Sequence, residues 1–256
     1  MNQHEVLFEA VTELAKLVGH TALKHFGRID VVDRKSDGSP VTIADREAEQ
    51  TAREWIAKRF PDDAIVGEEF GESGKPDARR WLIDPIDGTK SFIAGVPLWG
   101  SLIAVAEAEE VLAGAINCPA ANEMVVAAKG LGTWWRGARC TVSPVAALSD
   151  ATVLTTDSRF AGRAARRAAW QELADGARIA RTWGDCFGYL LVATGRAEVM
   201  VDDKMNPWDS ACLVPILEEA GGVFTDWRGR RTGFGGDAIA TNRALAESVR
   251  SVLCRG

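Results

Sequence analysis

Apolar residues recur along this chain with two different spacings, one of three and four residues and one of two, and the alternation between them outlines its elements. Over residues 4–26, Leu7, Ala10, Leu14, Leu17 and Val18 fall three and four apart with Thr21 on the same row, which predicts an amphipathic helix ended near Gly27. Ala48, Ala52, Trp55, Ile56 and Phe60 repeat the pattern over residues 44–60 and predict a second helix stopped by Pro61. Asp45 lies in its first turn, beside the positive end of the helix dipole. The polar stretch 33–41 between them reads as a loop. Residues 64–66 and 81–83 read as short buried strands and 72–79 as a surface loop. Residues 100–106, 111–118 and 123–128 read as strands of an antiparallel sheet continued through Trp134 and Trp135. Residues 141–149 resemble a linker, so the expected division is an α+β half, 1–142, and an α/β half, 143–256. In the second half strand and helix alternate over 152–155, 161–173, 178–182, 185–194 and 198–201. Residues 207–220 are apolar on nearly all sides, as in a helix sandwiched between sheets, with a kink expected at Pro215. Strands at 223–225 and 238–240 and a helix over 242–253, capped by Asn242, complete the pattern.

Composition acts mainly by exclusion. A chain of 256 residues, 46% apolar, is long enough for one large domain or two packed subdomains. A net charge of -6 and a sequence pI near 5.3, with no Lys/Arg-rich block, disfavour nucleic acid as the main partner. Cys118, Cys140, Cys186, Cys212 and Cys254 are scattered without a C-x-x-C pair, so neither a disulfide framework nor a zinc site is indicated. No signal-peptide pattern and no membrane-length apolar run is present, and the expectation is a soluble cytoplasmic protein that meets no membrane. His4, His20 and His25 are read as ordinary residues of the first helix rather than catalytic bases.

The candidate chemistry lies where apolar runs end in acids. Trp81-Leu82-Ile83 leads into Asp84-Pro85-Ile86-Asp87-Gly88-Thr89, residues 64–66 lead into Gly67-Glu68-Glu69, and Asn206-Pro207-Trp208-Asp209 opens the later helix. Pro85 stiffens the first turn and Gly88 lets the backbone pass close to the acids. The plain alternative is a turn whose Asp side chains bond their own backbone. Carboxylates gathered without His or Cys favour Mg²⁺ or Mn²⁺ over zinc, and two or three such ions are the usual apparatus for phosphate ester hydrolysis. A phosphatase is therefore the first hypothesis.

Gly67-Glu68-Glu69, Asp84-Pro85-Ile86-Asp87-Gly88-Thr89 with Phe92, and Trp208-Asp209-Ser210-Ala211 resemble the signature segments of the inositol monophosphatase superfamily. The resemblance continues through Gly184, Ala193-Thr194-Gly195 and Glu219-Ala220-Gly221-Gly222 and covers most of the chain. It implies a layered α-β-α-β-α sandwich with the site between the two halves. It implies that Glu68, Asp84 and the carbonyl of Ile86 hold one Mg²⁺, that Asp84, Asp87 and Asp209 hold a second, and that a weaker third ion sits near Glu68. Thr89 paired with Asp45 would orient the water that attacks phosphorus, and the backbone of Gly88 and Thr89 would cradle the phosphate. Homodimerisation and lithium inhibition are further implications. Lys35 is a candidate for steering phosphate, and Glu69, Asp202 and Asp203 are second-tier metal candidates against surface or turn roles.

Within that superfamily the segment from Trp183-Gly184-Asp185-Cys186 through Val199-Met200 resembles the histidinol-phosphate phosphatases. Asp185, with Asp202 expected nearby, would face the leaving group, and two acids there suit a cationic substrate, L-histidinol phosphate, better than a neutral polyol. Inositol-1-phosphate is the alternative within the superfamily. A catalytically idle metal-binding scaffold is the alternative of another class.

Overall fold

The two spacings become two sheets and the helices that separate and cover them. In the computed structural model, which describes residues 2–28, 32–34 and 40–254, the first helix is α1 (Gln3–Leu23), followed by the paired strands β1 (Asp33–Arg34) and β2 (Pro40–Val41), and then α2 (Ile43–Arg59). Next come β3 (Ala64–Gly67), β4 (Gly71–Ser73), β5 (Arg80–Asp87) and the short α3 (Thr89–Ile93). The meander β6 (Gly100–Glu107), β7 (Glu110–Cys118), β8 (Glu123–Ala128), β9 (Gly132–Trp135) and β10 (Ala138–Cys140) ends the first half. The second half holds β11 (Thr152–Thr155), α4 (Ala164–Gly176), β12 (Ile179–Arg181), α5 (Asp185–Ala193) and β13 (Val199–Asp202). It continues with α6 (Pro207–Ser210), α7 (Leu213–Glu219), β14 (Val223–Thr225), β15 (Ala238–Thr241) and α8 (Ala246–Leu253).

Among the described residues the larger sheet runs β10-β9-β8-β7-β6-β5-β3-β4, antiparallel except for β3 beside β5, and the smaller runs β12-β11-β13-β15-β14. Alternation along β5 shows why layers form: Trp81 and Ile83 pack with α1 and α2, while Leu82 faces the opposite side with α5 and α7. The smaller sheet divides likewise, with Leu154 and Met200 toward α5 and α7, and Val153 and Val199 toward Trp170 of α4 and Val249 of α8. The order of layers is α, β, α, β, α, the sandwich that the resemblance implied. No helix among the described residues is long and apolar enough to cross a membrane.

Several expectations need correcting. The single helix over 207–220 is two, with a turn at Ala211 and Cys212. Pro215 lacks an N–H, and its ring conflicts with the carbonyl four residues back, at Ala211, so the break falls a turn before the proline. The stretch after Glu69 is not all loop, because β4 pairs antiparallel with β3 while its three residues stay exposed, and so it carries no apolar signal. His25 lies beyond α1 and bonds Glu47 at 2.8 Å. Asn242 does accept from Leu245 N–H at 3.0 Å, but α8 itself starts at Ala246, and the Asn242 side-chain amide donates to Ser143 and Val145 carbonyls instead.

Candidate active site

Strand ends and helix starts meet at one cleft. Along β5 the pairing with β6 slips between Asp84 and Asp87, because Pro85 has no N–H to give. Ser101 Oγ of β6 instead donates to the Pro85 carbonyl at 2.8 Å, holding the bulge in place. Asp84 Oδ1 accepts from Ile86 N–H at 2.9 Å, so the ordinary turn bond anticipated as the plain alternative is present. It does not account for the rest of that side chain. Asp84 is only 2% exposed and lies within hydrogen-bond reach of the Glu68 and Asp209 carboxylates.

These acids strain one another. Burial first, then the charges of Glu68, Asp87 and Asp209, pushes the Asp84 carboxyl well above the usual carboxylate range. Asp87 is raised by burial and by Asp185 and Asp209, against the opposing donation of Cys186 N–H from the start of α5. Burial carries Asp209 to about 7, despite the bond from Asn206 N–H at 2.7 Å. Like charges gathered out of water are costly unless a cation offsets them. An all-oxygen set of this kind suits a hard divalent ion. Among the described residues no three of these side chains already close round one point. The fit therefore rests on the type and mutual electrostatics of the donors.

Asp45 and Thr89 stand apart from the pairing expected of them. Thr42, the N-cap of α2, donates its N–H and hydroxyl to Asp45 Oδ2 at 2.8 and 2.6 Å. Asp45 Oδ1 is buried with no hydrogen-bond partner, and burial, with help from Glu68, raises its carboxyl. The Thr89 hydroxyl donates to the Ile86 carbonyl at 3.0 Å and not to Asp45. A buried acceptor left without a donor calls for an explanation, and a water or ligand proton in the cleft would supply one.

Next to Gly88, Asp185 opens α5 in the left-handed region, at φ +51°, which few residues other than glycine tolerate. Its N–H donates to Thr156 Oγ1 at 2.8 Å, and burial raises its carboxyl to about 6 while Lys90 pulls the other way. Asp202 ends β13 and accepts from Thr156 N–H at 3.0 Å and the Tyr189 hydroxyl at 2.9 Å; burial takes it to about 7. Asp203 pairs with Arg163 at 3.5 Å, which gives that second-tier acid a local partner, and the backbone N–H of Glu69 donates to Glu49 Oε2. Lys35 lies outside the described residues.

Two cavities of about 400 and 520 Å³ flank Lys90 and Asp185 and share both as lining. Asp87, Asp202 and Asp209 line the first, and Glu68, Gly88 and Thr89 the second. Thr156 and Asp157 line both, and neither was anticipated from the sequence. Their signal was positional: Thr156 immediately follows strand β11 in an α/β layer, the place where ligands of such layers bind.

Gly88 is required twice at this point. Its φ is +86°, and a Cβ there would lie 3.1 Å from Asp185 Oδ2 and 3.0 Å from the Leu98 carbonyl. Gly88→Ala is expected to lower stability by about 1–2 kcal/mol and kcat by about tenfold or more. Denaturant melts and initial rates check this, and a rate equal to that of the parent protein would show that the close approach is dispensable.

Residues 2–255 match the inositol monophosphatase family. The chain is 43% identical to the histidinol-phosphatase of Chlorobaculum parvum, with 95% of each chain covered. It is 37% identical to the histidinol-phosphatase of Mycobacterium tuberculosis, over 90% of this chain and 91% of that one. An inositol monophosphatase structure from Zymomonas mobilis superposes with a TM-score of 0.88 at 33% identity, covering 99% of both chains. A layered sandwich with an acid-lined cleft defines a class of phosphate-ester hydrolases. This chain belongs to that class as a phosphatase of the inositol monophosphatase family.

Proposed function

We propose that the protein hydrolyses L-histidinol phosphate to L-histidinol and phosphate in a Mg²⁺-dependent reaction. The observation that carries the substrate is that Asp185 and Asp202 line the same cavity beside Asp87 of β5, with Thr156 accepting from the Asp185 backbone N–H and donating its own N–H to the Asp202 carboxylate. A substrate with an ammonium group and an imidazole gains charge-assisted bonds there, whereas a polyol offers only neutral hydroxyls. Two relatives named histidinol-phosphatase support the same reading.

In this reading Glu68, Asp84 and the Ile86 carbonyl would hold one ion, and Asp84, Asp87 and Asp209 another. Mg²⁺ held there would supply Lewis acidity, easing deprotonation of water and offsetting charge on the phosphoryl oxygens. The chain's own groups do the rest. Asp45 Oδ1, buried and without a donor, accepts a proton from the attacking water, while the Thr89 hydroxyl, anchored on Ile86, helps align it. Backbone N–H groups of Gly88 and Thr89 receive phosphoryl oxygens. Asp185 and Asp202 hold the departing amino alcohol. Residues 1–142 thus supply most metal ligands and residues 143–256 the selectivity. A cytoplasmic homodimer, sensitive to lithium, belongs to the same proposal.

Inositol-1-phosphate is the second reading, because carboxylates also accept from hydroxyls and the Zymomonas neighbour is named an inositol monophosphatase. Purified protein with Mg²⁺ is expected to turn over histidinol phosphate faster than inositol-1-phosphate. Asp185→Asn should cut histidinol phosphate kcat/KM by about ten- to hundredfold, the loss of a charge-assisted bond, with a generic aryl phosphate nearly unaffected. Equal rates on both natural esters would remove the histidinol assignment. Equal losses on all substrates in the variant would assign Asp185 to metal binding or folding.

A further inference from the structure

Glu49 is a buried acid that the proposed chemistry leaves unused. It lies one turn after Asp45 on the same face of α2 and is 0% exposed, among Ala48, Ala52 and Ile56. Its carboxylate faces the turn that follows β3. Glu49 Oε2 accepts from Glu69 N–H at 2.6 Å, and Oε1 accepts from Phe70 N–H at 3.2 Å and from Arg53 Nε at 2.7 Å. Arg53 extends the grip by donating to the Gly71 carbonyl and to Ser73 Oγ, with its guanidinium 5.8 Å from the Phe70 ring centre. The backbone from Gly67 to Ser73 is thereby fastened to α2 at several points.

The turn is shaped to receive this carboxylate. A Cβ on Gly67 would lie 2.0 Å from Glu49 Oε1, so the absence of a side chain at 67 is what lets the acid lie flat against the strand end. Glu68 sits between Gly67 and the bonded N–H of Glu69, and its own N–H donates to the Ile83 carbonyl of β5 at 3.2 Å. The backbone of Glu68 is therefore held from two sides, by β5 and by Glu49. Because Asp45 and Glu49 share one helix, the same carboxylate fixes Glu68 relative to Asp45. A helix is stiff over a single turn, and this link uses no flexible connection.

We propose that Glu49 is a positioning residue: by clamping the Gly67–Gly71 turn onto α2 it aims the Glu68 carboxylate at Asp84 and sets the affinity of that pair for a divalent cation. The proposal rests on Glu68 being a metal ligand, and Glu68→Gln is the control for that premise. Groups that orient a metal's ligands alter its affinity by about ten- to hundredfold when removed.

The test is Mg²⁺ binding without substrate, read as the Mg²⁺ concentration that gives half the full thermal shift, with a calorimetric titration alongside. Glu49→Gln cannot accept from both Glu69 N–H and its other donors, and is expected to raise that concentration by about ten- to hundredfold. Gly67→Ala keeps Glu49 but displaces its carboxylate, and should do the same. In rate measurements both variants should regain most of their kcat at high Mg²⁺, which a purely structural defect would not allow. A lower Tm in chelator with half-saturation unchanged in either folded variant overturns the proposal. If Glu49→Gln does not fold, Arg53→Lys, which leaves Glu49 in place, carries a smaller expectation of about three- to tenfold; an unchanged value there also overturns it. If Glu68→Gln leaves Mg²⁺ binding intact, the premise about the site fails instead.

Discussion

Asp84→Asn is expected to reduce turnover of every phosphate ester by about a thousandfold or more, since it weakens both proposed ions and each contributes several kcal/mol at about 1.36 kcal/mol per decade of rate. Asp84 is the acid within reach of both Glu68 and Asp209, so no neighbour can take over its position. The same substitution should leave the chelator-treated protein as stable as the parent or more so, because it removes one of several buried like charges. Two measurements separate this from a folding defect. The variant should melt at or above the parent temperature in EDTA, and it should lose the rise in Tm that Mg²⁺ gives the parent. A variant with undiminished kcat would overturn the shared-ligand arrangement, and the scaffold alternative predicts no turnover even in the parent.

Without a divalent ion, stability should fall as pH rises from about 4 to about 7. Asp202 and Asp209 have folded pKa values of about 7, and Asp185 of about 6, all above the unfolded carboxylate value near 4. A carboxyl raised on folding binds extra protons in the native state, so its stabilisation is complete below the unfolded pKa and is lost as pH passes through the folded one. For the two more buried acids together the loss is on the order of a few kcal/mol, or roughly 10 °C in Tm for a chain of this length. Asp157 acts oppositely: Arg159 holds it down to about 2, so its contribution is present above pH 4 and disappears only in stronger acid. Saturating Mg²⁺ favours the ionised forms and should flatten the loss, so the gain in Tm from Mg²⁺ should grow between pH 5 and 8. Melting curves in EDTA and in Mg²⁺ across that range decide the matter, and parallel profiles would separate these acids from metal binding.

Local rules carried most of the architecture because most elements obey one period. The strands of the meander, the first two helices and the acids at strand ends all follow from patterns a few residues long. The misses have physical causes. Strand β4 is exposed on all three residues, so pairing with β3 left no apolar trace. The split of α6 from α7 depends on which carbonyl Pro215 conflicts with, a detail one turn away from the proline itself. Glu49 drew no reading from the sequence, because an acid four residues before Arg53 is ordinary on a helix; its place beside Ala48 and Ala52 on the apolar stripe is the signal that it faces inward. Asp45 was placed in the right turn of the right helix, and its partner was not. Thr42 was three residues away and already positioned as the N-cap, whereas Thr89 comes from another layer and no sequence pattern reports that distance. Thr156 joins Asp185 to Asp202 through bonds 29 and 46 residues long in sequence, beyond any local signal.

The backbone at residue 185 also limits how the selectivity proposed for Asp185 can diverge. With φ at +51°, the position accommodates Gly, Asn and Asp readily and β-branched residues poorly. Variation there can change or delete a charge but cannot readily add branched bulk to fill the pocket. A redesign aimed at larger alcohols would have to work from neighbouring walls, such as Phe160 or Met205, which line the same cavity from other elements. If Asp185 recognises substrate as proposed, recognition by charge and recognition by shape fall to different parts of the chain and are open to separate adjustment.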